Sequence, residues 1–178
     1  TTAFEAGAEF DKFDRVRVPQ VQYAGMLEYD GDLHIPKKFL VSPPLIRNTL
    51  GELLADKGIA QLAMSETQKF GHVTYFFNGN RSSTFNDDLE EYIEIPSDVV
   101  PFEQRPWMKS AEITDVLVEK IRSNKFPFMR VNFPNGDMVG HTGILESTII
   151  GVESVDIALK RVLNAIDAVG GMAIITAD

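Results

Sequence analysis

Cysteine is absent from the 178 residues, so disulfides and zinc–thiolate sites are excluded. The absence fits a reducing compartment, and the cytoplasm is the expected location. Basic residues are short relative to acidic ones, 17 against 26, and the formal net charge is −9. A field of that sign disfavours nucleic acid and anionic membrane as main partners. An anionic substrate would need a local cationic or metal site. No stretch approaches the roughly 20 apolar residues of a membrane span. The opening TTAFEAGAEFDKF lacks the basic and apolar regions of a secretory signal, and it lacks an initiator Met, which suggests a cut start. There is no P-loop, no G-x-G-x-x-G and no G-x-S-x-G, so nucleotide-cradling folds and serine hydrolases have no support. What remains is a chain 44% hydrophobic and 24% charged, enough for one domain with a sizeable core.

The periodicities predict alternating strands and helices. Residues 1–20 read as a short helix or an arm, and 21–28 as a strand followed by an Asp30-Gly31 turn. Ser42 is a suitable N-cap before Pro43-Pro44. Leu45, Ile46, Leu50, Leu53 and Leu54 then recur at helical spacing as far as Gly58. Residues 59–66 read as a short strand, and 67–83 leave helix and strand both open. YIEIP, 92–96, reads as a short edge strand within an acidic, proline-punctuated stretch. Ser110 is the expected cap of a helix whose face carries Ile113, Leu117, Lys120 and Ile121, with Val116 beside them. FPFMRVNF follows as a buried strand. The next helix spans 147–169, with a stripe of Val152, Val155, Leu159, Val162, Ile166 and Val169. Gly170-Gly171 stop it, and MAIIT is the expected next strand. The order implies an α/β fold with a largely parallel sheet flanked by helices.

The most informative stretch is NFPNGDMVGHTG, 132–143, at the junction between that buried strand and the long helix. In α/β chains the carboxyl end of a strand opens into the ligand crevice. Asp137 and His141 stand four residues apart among residues suited to a tight loop. A carboxylate and an imidazole so placed make half of a divalent-metal site. The competing account has the Asp supporting a turn and the His capping the next helix. Asn132, Asn135, Gly136, Gly140 and Gly143 crowd the same segment, as backbone constrained around a small ligand would require. Asp178, ending the last apolar run, is a candidate third oxygen ligand, and its terminal position suggests a chain cut through a site. Lys69, just beyond another strand, is either a solvated lysine or a cation for phosphate or carboxylate. His72 has a structural role or donates a hydrogen bond nearby. Arg47 and Arg81 read as surface residues, and His34 has no assigned role.

The segments FLVSPPLIRNTLGE, SETQKFGHVTYFFNGNR, YIEIPSD, RVNFPNGDMVGHTG and GGMAIITAD, in this order and spacing, resemble cofactor-independent phosphoglycerate mutase of the alkaline phosphatase superfamily. The resemblance runs over nearly the whole chain. It implies interconversion of 3-phosphoglycerate and 2-phosphoglycerate, in glycolysis and gluconeogenesis, through a phosphoserine intermediate. It also implies two divalent metals, manganese commonly, with magnesium, cobalt or zinc as alternatives, and no need for 2,3-bisphosphoglycerate. By the same resemblance Asp137 and His141 ligate one metal, Asp178 ligates the other, and Lys69 contacts the transferring phosphoryl group.

Other features of that family lie outside this sequence: the residues that follow Asp178 in T-A-D-H-G-N, a further metal-ligating His, the nucleophilic Ser segment with its metal-binding Asp, and the inserted phosphotransferase domain. The resemblance therefore implies that residues 1–178 are a central, incomplete slice of the phosphatase-type domain. Such a slice is expected to be inactive alone and, with sheet edges exposed, to self-associate. Two alternatives stand beside it: another phosphomutase or phosphatase of the superfamily, and a non-catalytic scaffold.

Overall fold

A computed structural model describes residues 1–28, 34–44 and 46–177, with Ala8 described in its backbone only. The expected Asp30-Gly31 turn, Leu45 and Asp178 lie outside the described residues. The chain forms two compact units, 1–46 and 47–178.

In the first unit a short helix α1 (Thr2–Glu5) and a 3-10 turn (Gly7–Glu9) precede two strands, β1 (Gly25–Leu27) and β2 (Phe39–Val41). The strands pair in parallel, Gly25 opposite Phe39 and Leu27 opposite Val41. The expected strand over 21–28 shrinks to three residues because its partner offers only three. Gly25 is required where it stands: a Cβ there would lie 2.5 Å from Pro36 Cγ. The Arg15 guanidinium gathers the amino-terminal turns, donating to Ala3 O at 2.8 Å and to Gly7 O and lying 5.0 Å from the Phe10 ring centroid.

The second unit is built on a three-stranded parallel sheet, order β4-β3-β5, with β3 (Gln61–Glu66), β4 (Glu90–Ile95) and β5 (Phe128–Asn132). Every residue of β3 is buried, as expected of a central parallel strand covered on both faces. Leu62 and Met64 face one side, under Ile113, Leu117, Val118 and Ile121 of α4 (Ser110–Ser123) and Val162 and Ala165 of α6 (Leu145–Ala168). Across the other face Tyr92, Ala63 and Arg130 stand opposite one another in register. Arg130 is buried there; it donates to Val73 O at 2.6 Å and Gln61 Oε1 at 3.0 Å, and its guanidinium lies 4.4 Å from the Phe77 ring centroid. Beside it Tyr92 donates to Glu90 Oε1, and burial pushes the phenol up to about 12.

Several expectations move. The helix expected from Ser42 begins only at Leu50: α2 is Leu50–Asp56, capped by Thr49, whose hydroxyl accepts from Glu52 N, while Glu52 accepts from Asn48 N at 2.6 Å. Asn48 adopts a left-handed backbone (φ +58°), which separates the upstream residues from the helix. These two hydrogen bonds fix the helix start at Thr49 rather than Ser42. The close is as expected, with Gly58 at φ +69° and Ile59 N bonded back to Leu54 O. Ser110 is the first helical residue of α4 rather than its cap, because the preceding Lys109 N–H is taken by the Glu66 carboxylate at 3.0 Å. Lys120 lies on the apolar face with reason: its Nζ pairs with Glu91 of β4, and it depresses that carboxyl's pKa.

On α6 the expected valine stripe is only partly inward. Val152 is exposed, and the buried residues are Gly151, Ala158, Val162 and Ala165. Small side chains let α6 approach closely; a Cβ at Gly151 would meet Pro106 O at 3.2 Å and Val139 Cγ2 at 3.4 Å. After Gly170 (φ +69°), MAIIT belongs to no strand, with Ile174 86% exposed. Strand propensity expresses itself only against a neighbouring strand, and among the described residues none pairs with this run.

Leu62, with no exposed surface, and Leu53, 47% exposed, separate core from helical spacing. We expect Leu62→Ala to lower the unfolding free energy by about 2–5 kcal/mol and Leu53→Ala by less than about 1 kcal/mol, measured by urea denaturation.

Candidate metal and anion site

The three strands of the second unit end together, Glu66 level with Ile95 and Ser65 level with Asn132. The chain leaves β3 directly into α3 (Thr67–Gly71), which continues into a π-helical turn, His72–Phe76. It leaves β5 through Pro134 into α5 (Asn135–Gly140). Lys69 rides on α3, Asp137 on α5, and His141 just after α5. Two strand ends thus bring a cation, a carboxylate and an imidazole to one place, as parallel sheets do at their carboxyl edge.

Within the segment 132–143, expected as a loop, residues 135–140 form a helix. Its glycines lower helix propensity, but packing overrides them. Val139 and Asn135 are wholly buried, and Asn135 Nδ2 donates to Pro106 O at 2.9 Å. At 100° per residue the 135/139 face and the 137/141 face point in opposite directions. Burial of the first pair therefore turns Asp137 and His141 outward as i, i+4 neighbours. The backbone between them is helix rather than the expected loop.

Asp137 Oδ2 forms an ion pair with Lys69 Nζ, and Oδ1 lies 3.1 Å from His141 Nε2. Lys69 is 18% exposed at its side chain, Asp137 38% and His141 76%, so the site opens to solvent on the imidazole side. The Lys69 ammonium, by hydrogen bond and charge, holds the Asp137 carboxyl below its ordinary range. His141 adds a smaller pull in the same direction, and partial burial opposes both. The His141–Asp137 separation suits a shared cation: two bonds of about 2.1 Å at a right angle subtend an edge of about 3 Å. A carboxylate oxygen with an imidazole nitrogen is a donor set for manganese, magnesium, cobalt or zinc. Among the described residues no third carboxylate or imidazole joins them. The expected further ligand, Asp178, lies outside the described residues.

Sequence reasoning missed Glu66. It is 2% exposed at the end of β3, accepting from Ser97 Oγ at 2.8 Å and Lys109 N at 3.0 Å. Burial raises its pKa, while the Ser97 hydroxyl and the Lys109 N–H and charge pull it down. The signal available was a carboxylate closing a strand with an apolar centre, Leu62–Met64, three residues before Lys69. Asn132 and Asn135, expected as loop formers, each have a buried Oδ1 without a hydrogen-bond partner, close along the chain to Asp137. Of the other sequence candidates, His72 makes a ring contact with Phe76 at 5.3 Å, Arg81 and Arg47 are exposed, and His34 accompanies Glu28 at 3.1 Å.

Residues 13–178 match the family model described as the metalloenzyme superfamily. The chain is 57% identical over 176 residues to 2,3-bisphosphoglycerate-independent phosphoglycerate mutase of Trypanosoma brucei brucei, covering 99% of this chain and 32% of that protein. It is 55% identical over 170 residues to the enzyme of that name from Ricinus communis, covering 95% and 31%. Among solved structures it superposes on Leishmania mexicana phosphoglycerate mutase, crystallised at low cobalt concentration, with a TM-score of 0.85, 54% identity, and 96% and 31% coverage. The chain spans about a third of the length of the curated relatives it matches.

Replacing Lys69 by Met removes the main cause of the depressed Asp137 pKa. A group whose pKa is depressed on folding contributes stability above its unfolded pKa, here near 3.8, and loses it as pH falls through the folded value. In Lys69→Met we expect the Asp137 titration, followed by its 13Cγ resonance, to move upward toward the unfolded value, and the share of the acid loss of stability that Asp137 carries to shrink.

Proposed function

The chain belongs to the metalloenzyme superfamily, and we propose that it forms the central part of the phosphatase-type domain of a phosphoglycerate mutase. In this reading the parent protein interconverts 3-phosphoglycerate and 2-phosphoglycerate through a phosphoserine, in the cytoplasm, without 2,3-bisphosphoglycerate. The single observation that carries the proposal is the convergence of Lys69, Asp137 and His141 from two neighbouring strand ends.

Asp137 and His141 hold one divalent ion, Asp178 serves a second, and manganese is the expected metal. Bound metals supply charge stabilisation to the attacking and leaving oxygens of an in-line displacement. Lys69 supplies a further positive charge where the phosphoryl oxygens build negative charge. Its 18% exposure removes it from most of the solvent that would screen that charge. The cation also answers the difficulty raised by a net charge of −9, since an anionic substrate needs a local positive site. The Ser65 Oγ to Asn132 O hydrogen bond, 3.0 Å, ties the ends of β3 and β5 together beneath the site. The exposed apolar run 172–175 and the two sheet edges favour self-association of the isolated chain.

Two outcomes test the proposal. Calorimetric titration with manganese should show binding by the chain that disappears in the double variant Asp137→Ala, His141→Ala; equal binding by both would sink the assignment of donors. The 178-residue chain alone should show no mutase turnover in a coupled assay, because the serine that the resemblance requires lies outside it. Turnover at mutase rates would falsify the reading of the chain as one part of the machinery.

A further inference from the structure

Both oxygens of Asp137 are engaged within the protein, Oδ2 by Lys69 Nζ and Oδ1 by His141 Nε2. A cation ligated by Asp137 and His141 therefore meets a competitor already in place. Among the described residues Lys69 Nζ is recorded in no other ion pair or side-chain hydrogen bond. Lys69 and Asp137 stand on different elements, so the pair can open without breaking either helix. An ammonium on a four-carbon stem is a mobile point charge. Held a few ångströms from a divalent cation on the same carboxylate, it would be repelled as well as displaced.

We propose that Lys69 is an exchangeable internal counter-ion of the metal half-site: Asp137 holds it when no metal is present, releases it on taking a divalent cation, and the released ammonium anchors a tetrahedral oxyanion such as a phosphate monoester. The inference rests on the reading of Asp137 and His141 as metal donors and adds an order to it, cation first and anion second. Any such coupling is reciprocal, so anion bound to Lys69 strengthens cation binding at Asp137 by the same factor. While Lys69 remains on Asp137 it neutralises a carboxylate that needs no further partner, and its charge is unavailable to a substrate. One residue thus keeps the site closed to anions until metal is present.

The test uses manganese alone as the ligand, with the full 178-residue chain, Lys69→Met and Lys69→Arg. Removing the internal competitor should tighten manganese binding by about two- to fivefold, the range of a partly exposed ion pair. Lys69→Arg keeps a cation in place and should not tighten it. In the unsubstituted chain, acetylation of the Lys69 amine by an N-hydroxysuccinimide ester, read by peptide mass spectrometry against exposed Lys57, should quicken on saturation with manganese. Binding by Lys69→Met that is equal or weaker would overturn the exchange while leaving the donors standing. Acetylation that stays flat at saturating manganese would overturn the release even if the variant binds more tightly. Failure of both the unsubstituted chain and Lys69→Met to bind manganese would overturn the donor assignment and the exchange together.

Discussion

The complete burial of β3 is the constraint on which the second unit depends. A strand with no solvent-facing residue must be covered on both faces and paired along both edges, and each requirement places a particular element. Leu62 and Met64 demand the apolar faces of α4 and α6. Gln61 and Ala63, on the other face, are covered by Arg130, Tyr92 and the π-helical turn. Parallel pairing on both edges forces β4 and β5 to run in the same direction as β3, so all three strands deliver their following segments to one side. The proximity of Lys69 to Asp137 is a consequence of that shared direction rather than of any affinity between residues 68 positions apart in the chain.

The sequence was most readable where one signal had no rival. The long helix α6 and the sheet's three strands followed from periodicity, and the edge position of β4 followed from its charge and proline punctuation. It was least readable where the outcome depended on a distant partner. Ser42 looked like a cap, but seven residues further on the Thr49 hydroxyl takes the Glu52 amide, and the Glu52 carboxylate takes the Asn48 amide. Ser110 looked like a cap, but a carboxylate 44 residues upstream occupies the preceding amide. MAIIT has every local mark of a strand and no strand beside it among the described residues. In each case the local pattern was real and tertiary placement decided its use.

The site itself was readable as a set of residue types and unreadable as a geometry. Asp137, His141 and Lys69 stood out because carboxylate, imidazole and ammonium groups close to strand ends are chemically conspicuous. Their mutual contacts did not, since the spacing of 137 and 141 is equally compatible with a loop. What converted the spacing into a shared face was the burial of Val139 and Asn135 on the opposite side of the helix. Functional residues on a short helix are aimed by its inert side, and inert residues are the ones a search for chemistry passes over.

Glu66 has a consequence for how the molecule comes apart. Its carboxylate receives the Ser97 hydroxyl and the Lys109 amide, so the irregular stretch between β4 and α4 is tied to the central strand at both of its ends. Peeling that stretch away would break both hydrogen bonds and uncover the end of the buried central strand. Such a loop does not fray as an independent surface segment; it opens with the sheet or not at all. Its amides then belong to the same cooperative unit as β3, and the outermost backbone of this edge inherits the exchange lifetime of the innermost.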